Sequence, residues 1–245
     1  VLDKEIQNIL DLGIELKCKT RIGKDIDFDD MRKDYDAVYI ATGAHRGQTL
    51  GVKGEDAVNV FTAASYLNRY KSGAKVEAGK NVVIIGGGDS AVDAARVSLR
   101  LSSGMQSALD SARVAKRDSG KSKVTILYRR SKNEMPAIKQ DVLEAEHEGI
   151  NFEFLAAPVG FEVKNNKATS IKCIRMKLGE PDDSGRRKPE PIAGSEFTVK
   201  TDTVIVGIGQ TPELPGGLSA VANKWGWVSV GKNRETELDG VFAGG

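Results

Sequence analysis

A short glycine-rich segment, residues 81–96, has the residue types needed to hold a phosphate group. It reads NVVIIGGGDSAVDAAR, which predicts a buried strand, a tight turn and the start of a helix. Gly86 suits the turn, Gly88 lacks the Cβ that would keep the backbone from a phosphate, and Ala91 is small enough for the helix to pack on a sheet. Free amides at the amino end of such a helix suit the pyrophosphate of a dinucleotide. A glycine turn with a purely structural role is the alternative.

Basic residues follow the next predicted strand, Val124–Tyr128, where the ribose of a bound dinucleotide is expected. An NAD-specific site carries an acidic residue at this point, whereas this chain has Arg129, Arg130, Ser131 and Lys132. Guanidinium groups form charge-assisted hydrogen bonds with phosphate. The sequence therefore predicts a preference for NADPH, with a solvated basic strand end as the alternative.

Composition limits the other classes of function. The chain has 245 residues, 40% of them hydrophobic, and 27 glycines, which is typical of a soluble α/β protein. A net charge of +2 gives no basic field that would favour nucleic-acid binding, and no segment is long and apolar enough for a membrane span. The amino terminus lacks the layout of a signal peptide, so we expect a cytoplasmic location. It also lacks an initiator methionine, which suggests a piece of a longer protein.

Three other chemistries find little support in the sequence. Cys18 and Cys173 are far apart and form no C-x-x-C motif, so a redox-active disulfide within the chain is not expected. His147 lies between two glutamates, but Asn151 stands where a zinc motif needs a second histidine. Ser90 resembles the serine of a nucleophile elbow, but Val92 stands where that motif has glycine. We therefore expect no metal site and no hydrolase.

The remaining pattern predicts the elements around the glycine turn. An antiparallel meander is expected over residues 159–200, with a turn at Asn165 and Asn166 and a polar loop at 179–194. Residues 102–123 exceed the usual connection between a helix and the next strand, so they are interpreted as an insertion. The other predicted helices are 2–10, 61–70 and 136–148, and the other predicted strands are 14–18, 36–40, 152–155, 203–206, 227–230 and 241–243.

Five motifs together are more specific than the glycine turn alone. They are ATGAHRG at 41–47, GGGDSAVDAAR at 86–96, VTILYRRSKNEMPA at 124–137, VGIGQTPEL at 206–214 and TELDGVFAGG at 236–245. In this order they resemble the glutamate synthase small subunit family of FAD-dependent pyridine nucleotide oxidoreductases. The resemblance spans nearly the whole chain and extends to related modules of dihydropyrimidine dehydrogenase and of the ferredoxin:NADPH transhydrogenase large subunit.

The resemblance implies an α/β fold in which a Rossmann-like NADPH-binding domain with a β-meander is inserted into an FAD-binding domain. Residues 1–75 would be a partial FAD-binding segment, 76–212 the NADPH-binding domain with its meander at 159–200, and 213–245 a truncated returning FAD-binding segment. By matching positions, the residues near the pyrophosphate would be Gly86, Gly88, Asp89, Ser90 and Ala91. Those near the 2′-phosphate would be Arg129 and Arg130, and those near the nicotinamide half would be Gly207, Ile208, Gly209 and Gln210.

The same resemblance implies hydride transfer between NADPH and FAD, with electrons passed on through iron–sulfur clusters. Their acceptor would be the glutamate synthase large subunit or another electron-acceptor subunit, and no catalytic side chain is nominated. Thr42, Gly43 and Gly244 would be remnants of the FAD site, since the first FAD fingerprint is missing from the sequence. We therefore expect weak or no FAD binding by this chain. A nucleotide-binding module without turnover and a different oxidoreductase subunit of the same architecture are the alternatives.

Overall fold

The computed structural model describes residues 2–103, 123–214, 218, 221–223 and 226–245. The chain divides into two compact units. The first unit joins Val1–Ala44 with Thr211–Gly245, and the second is His45–Gln210. These limits differ from the ones predicted after residues 75 and 212, since residues 45–75 lie in the second unit. Most of the expected insertion, residues 104–122, lies outside the described residues.

Most of the predicted helices and strands are present in the predicted order. The structure adds a helix at Phe28–Asp34 and short strands at Arg46–Gly47, Val60–Thr62 and Gln210–Thr211, which were not predicted. No helix in the described part of the chain is long and apolar enough to cross a membrane. The helices are α1 (Leu2–Leu10), α2 (Phe28–Asp34), α3 (Ala63–Lys71), α4 (Asp89–Ser103) and α5 (Lys139–His147), with a 3₁₀ turn at Lys132–Glu134. The strands are β1 (Val38–Ile40), β2 (Arg46–Gly47), β3 (Val60–Thr62), β4 (Asn81–Ile85), β5 (Lys123–Tyr128), β6 (Asn151–Phe154), β7 (Ala156–Lys164), β8 (Lys167–Pro181), β9 (Arg187–Lys200), β10 (Thr203–Val206), β11 (Gln210–Thr211) and β12 (Val241–Ala243).

A parallel five-stranded sheet forms the centre of the second unit, in the order β3-β10-β4-β5-β6. Successive side chains of a strand point to opposite faces, and both faces of β4 are covered. Val82 and Ile84 pack in one cluster with residues of α3, α4 and α5, whereas Val83 and Ile85 pack in another with residues of the meander. The unit therefore has three layers: helices, parallel sheet and antiparallel sheet. The predicted α/β fold is confirmed.

The meander of β7, β8 and β9 is antiparallel, as predicted, but its strands are longer than expected. Asn165 and Asn166 have φ values of 49° and 60°, so they form the tight turn between β7 and β8. The predicted polar loop at 179–194 is mostly strand, because β8 runs to Pro181 and β9 starts at Arg187. Because charged and apolar residues alternate along these strands, one face of the meander can remain exposed to solvent.

The first unit has a smaller core around β1 and β12, which pair in parallel. Phe28, Ile40 and Val241 are buried together there. Helix α1 buries none of its residues, although its apolar residues share one face as predicted. The predicted strand at 14–18 is wrong, and Ile14 and Leu16 are exposed.

Two further predictions needed correction. The helix predicted from residue 61 begins at Ala63, because Val60–Thr62 pair with β10 and the Thr62 hydroxyl accepts from the Ser65 amide at 3.3 Å. Residues 227–230, predicted as a strand, show only an isolated bridge between Val228 and Ala222.

Candidate dinucleotide-binding site

The glycine turn joins β4 to α4 and is held by packing on both sides. Gly86 has a φ of 140°, and its amide donates to the Leu127 carbonyl at 3.0 Å. A Cβ on Gly86 would lie 2.1 Å from the Gly207 carbonyl oxygen, and one on Gly87 would lie 2.6 Å from the Tyr128 ring. Glycine is therefore required at both positions by the neighbouring strand ends β10 and β5.

Gly88 differs from these two glycines, because a Cβ added there would meet nothing within 4 Å. The open space lies at the amino end of α4, which begins at Asp89. The first amides of a helix have no intrahelical acceptor and attract anions. Ala91 is fully buried in the next turn, and a Cβ on Gly207 would lie 3.0 Å from the Ala91 Cβ. The small residues at 88 and 91 thus leave open space at the helix amino end on one side and close packing on the other.

Asp89 is engaged in holding the loop that follows β5. Its Oδ1 accepts from the Ile138 amide at 2.9 Å, and the Gly87 carbonyl accepts from the Ala137 amide at 3.1 Å. These two hydrogen bonds dock residues 137 and 138 on the glycine turn. A carboxylate has no donor for a phosphate, so what Asp89 can offer an anion directly is its backbone amide.

A cavity of about 150 Å³ opens beside the turn. Gln210 closes one side, and its Nε2 donates to the Ser90 Oγ at 3.4 Å. Gly209 has a φ of 133°, and its carbonyl accepts from the Gln48 amide at 2.9 Å. The exposed Ile208 is not among the lining residues. The lining residues are Ala63, Ala64, Gly88, Asp89, Ser90, Val206, Gly207, Gly209 and Gln210.

The structure thus brings most of the sequence-predicted residues of this site together. Ala63 and Ala64 line the cavity but were not predicted as site residues. Residues 61–70 were predicted as one helix, whereas the helix begins at Ala63, beside β10.

The two arginines after β5 have different surroundings. Arg129 is exposed, and it has no hydrogen bond or ion pair with any residue that the structure describes. Arg130 is only 3% exposed, and its Nε donates to the Arg187 carbonyl at 2.7 Å. The Arg130 guanidinium also forms an ion pair with Asp182. Of the two predicted 2′-phosphate ligands, only Arg129 lies free at the surface.

The three residues predicted near FAD lie in the first unit. Thr42 and Gly43 follow β1, and Gly244 follows β12, so all three lie at the carboxyl ends of adjacent parallel strands. The Gly244 amide donates to the Ile40 carbonyl at 3.1 Å, and Gly43 has a φ of 65°. A Cβ on Gly244 would lie 2.1 Å from the Tyr39 hydroxyl oxygen. This edge of a parallel sheet is where ligands bind in open α/β folds.

Among the described residues, the cysteines and acidic side chains form neither a disulfide nor a cluster of metal ligands. Burial raises the pKa of the Cys173 thiol to about 12, so this thiol stays protonated and inert at neutral pH. Cys18 is also free of any disulfide. No group of three or more potential metal ligands occurs among the residues described.

Comparisons with known proteins agree with this architecture. The NADPH-Fe(3+) oxidoreductase subunit beta of Geobacter sulfurreducens is 39% identical over all of this chain and 38% of its own length. The NADP(+)-dependent formate dehydrogenase subunit beta of Moorella thermoacetica is 38% identical over all of this chain and 33% of its length. The glutamate synthase [NADPH] small chain of Escherichia coli is 36% identical over 82% of this chain and 41% of its length. The last match confirms the resemblance drawn from the motifs, and the chain spans well under half of these relatives.

Solved structures share the fold at low identity. Mycobacterium tuberculosis FprA in complex with NADPH superimposes with a TM-score of 0.73 at 19% identity, over 92% of this chain and 61% of that protein. Thioredoxin reductase of T. acidophilum gives a TM-score of 0.59 at 22% identity, over 85% of this chain and 56% of that protein. The fold class predicted from the sequence is therefore confirmed. The family model described as pyridine nucleotide-disulphide oxidoreductase matches residues 2–245, and the chain belongs to this family.

Proposed function

We propose that this chain is the NADPH-binding portion of a flavin oxidoreductase that transfers hydride between NADPH and FAD. The observation that carries the proposal is the open space at Gly88, at the amino end of α4 and the carboxyl edge of the parallel sheet. The residues fit a dinucleotide there, because the missing Cβ of Gly88 leaves room for a phosphate at the helix amino end and Arg129 follows the adjacent strand.

Each part of the site holds a different part of NADPH in this proposal. The pyrophosphate rests on the backbone amides at Gly88, Asp89 and Ser90, with Gly86 and Ala91 shaping the turn around them. Arg129 binds the 2′-phosphate as a charge-assisted partner, and we keep it rather than Arg130 because Arg130 is buried. Gly207, Gly209 and Gln210 lie toward the nicotinamide half, with Ile208 at the rim.

The chain's residues would position the cofactors and exclude water without acting as acids or bases. FAD, when bound in the intact protein, accepts or gives the hydride. Hydride transfer requires close alignment of two rings, which is a matter of orientation. We therefore nominate no catalytic side chain. Thr42, Gly43 and Gly244 contribute part of the FAD site, and we expect this chain alone to bind FAD weakly or not at all.

The onward path of the electrons is a further part of the proposal. Iron–sulfur clusters would carry them to a partner subunit, and the motifs favour the glutamate synthase large subunit. A second candidate is an electron-acceptor subunit of another oxidoreductase, favoured by the 39% identity to the Geobacter subunit over the whole chain. Glutamate formation with the glutamate synthase large subunit supports the first candidate, and its absence in a flavin-loaded complex contradicts it.

Calorimetric titration of the chain with NADP⁺ and NAD⁺ tests the nucleotide assignment. We expect NADP⁺ to bind about tenfold more tightly or better, since one charge-assisted hydrogen bond is worth about 1.5 to 3 kcal/mol. Gly88→Ala should lower the affinity for both nucleotides without unfolding the chain, because its Cβ enters the open space. Gly160→Ala is the matched control, a glycine that also lacks a positive φ and whose added Cβ would meet only the Lys53 carbonyl at an ordinary 3.7 Å. Binding of neither nucleotide to a folded chain would overturn the proposal.

A further inference from the structure

Three of the four polar side chains after β5 are already engaged within the protein. Arg130 binds Asp182, Ser131 donates its hydroxyl to Glu134, and Lys132 lies 2.6 Å from both carboxylate oxygens of Glu146. Arg129 has no such partner among the residues described. The sequence shows four similar polar residues in a row, whereas the fold leaves one guanidinium free at this strand end.

The partner of Arg130 comes from the tip of the β8–β9 hairpin, 52 residues further along the chain. A tight turn shapes this tip, since the Asp182 amide donates to the Arg186 carbonyl at 2.8 Å and the Gly185 amide donates to the Asp182 carbonyl at 2.8 Å. The Arg130 carbonyl in turn accepts from the Leu155 amide at 3.1 Å. Arg130 is thus fixed at both its backbone and its guanidinium.

We propose that Asp182 is a positioning residue for cofactor specificity. By binding Arg130 it keeps that guanidinium out of the nucleotide site, and Arg129 alone meets the 2′-phosphate. The inference rests on the proposed binding of NADPH at this edge of the sheet. The tip of the β8–β9 hairpin would thus help to set how strongly the protein prefers NADP⁺ over NAD⁺.

The physical reason is the cost of a buried charge without a partner. Arg130 is nearly inaccessible to solvent, so without the Asp182 carboxylate its charge would be poorly compensated. Without Asp182 the guanidinium would keep only the hydrogen bond from its Nε to the Arg187 carbonyl, and its terminal nitrogens would turn toward solvent or toward an anion. In the nucleotide-bound protein the nearest strong anion would be the 2′-phosphate beside Arg129. The loss of Asp182 would therefore add a second arginine contact to the phosphate.

Asp182→Asn separates this role from the shaping of the turn. In the native chain Oδ1 of Asp182 accepts from the Ser184 amide at 3.0 Å, whereas Oδ2 binds Arg130. An asparagine keeps the acceptor for Ser184 and turns its NH₂ group toward the guanidinium, where two donors repel each other. The ratio of NADP⁺ to NAD⁺ affinity of the full chain, measured by calorimetry, should rise by about tenfold. A mere loss of structure would weaken both nucleotides and leave the ratio unchanged.

Three further variants complete the test. Asp183→Asn is the matched control, since it removes a neighbouring exposed charge and leaves the Arg130 ion pair intact. We expect it to leave the ratio unchanged. Arg130→Met in the Asp182→Asn chain should return the ratio to the native value, and Arg129→Ala alone should lower it by about tenfold or more.

The outcomes that would overturn the inference are distinct from those that would overturn the proposed function. An unchanged ratio in Asp182→Asn contradicts the inference while leaving NADPH binding intact. A last variant, Arg130→Met in the native chain, should keep the native ratio. A fall in this ratio as large as that in Arg129→Ala would mean that Arg130 already touches the phosphate, and it would also contradict the inference. Failure of the native chain to prefer NADP⁺ would overturn the proposed function and the inference together.

Discussion

The two units of the chain contrast in how they bury their apolar residues. In the second unit, β4 has its apolar residues covered on one side by helices and on the other by the meander, and Ile84 has no exposed surface. In the first unit, β1 and β12 are three residues long, and α1 leaves Leu2, Ile6 and Ile9 exposed. The second unit holds a complete layered core, whereas the first has a small core and an uncovered helix face.

The contrast shows where a ligand site can be organised by the fold. The glycine turn of the second unit is fixed by Gly207, Tyr128 and Ile138, each from a different segment. In the first unit the corresponding strand ends carry Thr42 and Gly43, which are exposed. A preorganised site needs neighbours that fix it, so nucleotide binding is expected to depend on the second unit.

Gly86→Ala should be one of the two most destabilising of the changes considered. The new Cβ would meet the Gly207 carbonyl at 2.1 Å in a backbone conformation that L residues avoid, so we expect a loss of about 3 kcal/mol or more in the free energy of unfolding. Gly149→Ala, at a φ of 93° with nothing within 4 Å, should cost only about 1 kcal/mol. Urea unfolding of the two variants checks this, and equal losses would contradict the packing argument.

Ile84→Ala compared with Ile6→Ala tests the contrast between the cores directly. Truncation of the fully buried Ile84 should lower the free energy of unfolding by about 2 to 5 kcal/mol. Ile6 is 42% exposed, so its truncation should change this energy by less than about 0.5 kcal/mol and reduce the binding of a hydrophobic dye. A large destabilisation by Ile6→Ala would mean that α1 belongs to a covered core.

The smallest expected effect is an acid-dependent weakening of the hairpin tip in the second unit. Hydrogen bonds from Ser184, together with the positive charge of the nearby Arg130, hold the pKa of Asp182 below its ordinary value of 3.8. A carboxyl whose folded pKa is depressed stabilises the fold above the ordinary value and loses this contribution as the pH falls through the folded pKa. The thermal midpoint of Asp182→Asn should therefore lie below that of the native chain at pH 7, and the gap should narrow in acid. A gap that is constant with pH would contradict this assignment.

Much of the fold follows from local sequence patterns. β5 was predicted within one residue at each end, because a β-branched apolar run that ends before arginine specifies a buried parallel strand. The strand predicted at 14–18 failed because alternation alone does not supply a partner strand, and none pairs with it among the described residues. Thr62 ends β3 and caps α3, and a helix-like apolar pattern concealed this boundary.

The candidate site was predicted less completely than the fold. The glycine pattern locates the turn, since tight packing at residues 86 and 87 demands glycine and residue 88 leaves open space at the start of α4. The sequence could not show that Arg129 is exposed and Arg130 is buried in an ion pair. The partner of Arg130 lies at a hairpin tip that the pattern predicted as a loop. Long-range ion pairs leave no local signal.

Hydrogen–deuterium exchange with and without NADP⁺ tests the central claim most directly, that the NADPH site lies in the second unit. We predict slower exchange in peptides covering residues 86–92 when NADP⁺ is saturating, because the amides of Gly88, Asp89 and Ser90 would then bind phosphate. Peptides covering residues 38–44 and 241–245 should exchange at unchanged rates. Protection confined to those first-unit peptides, or none at 86–92 in a chain that binds NADP⁺, would contradict the account.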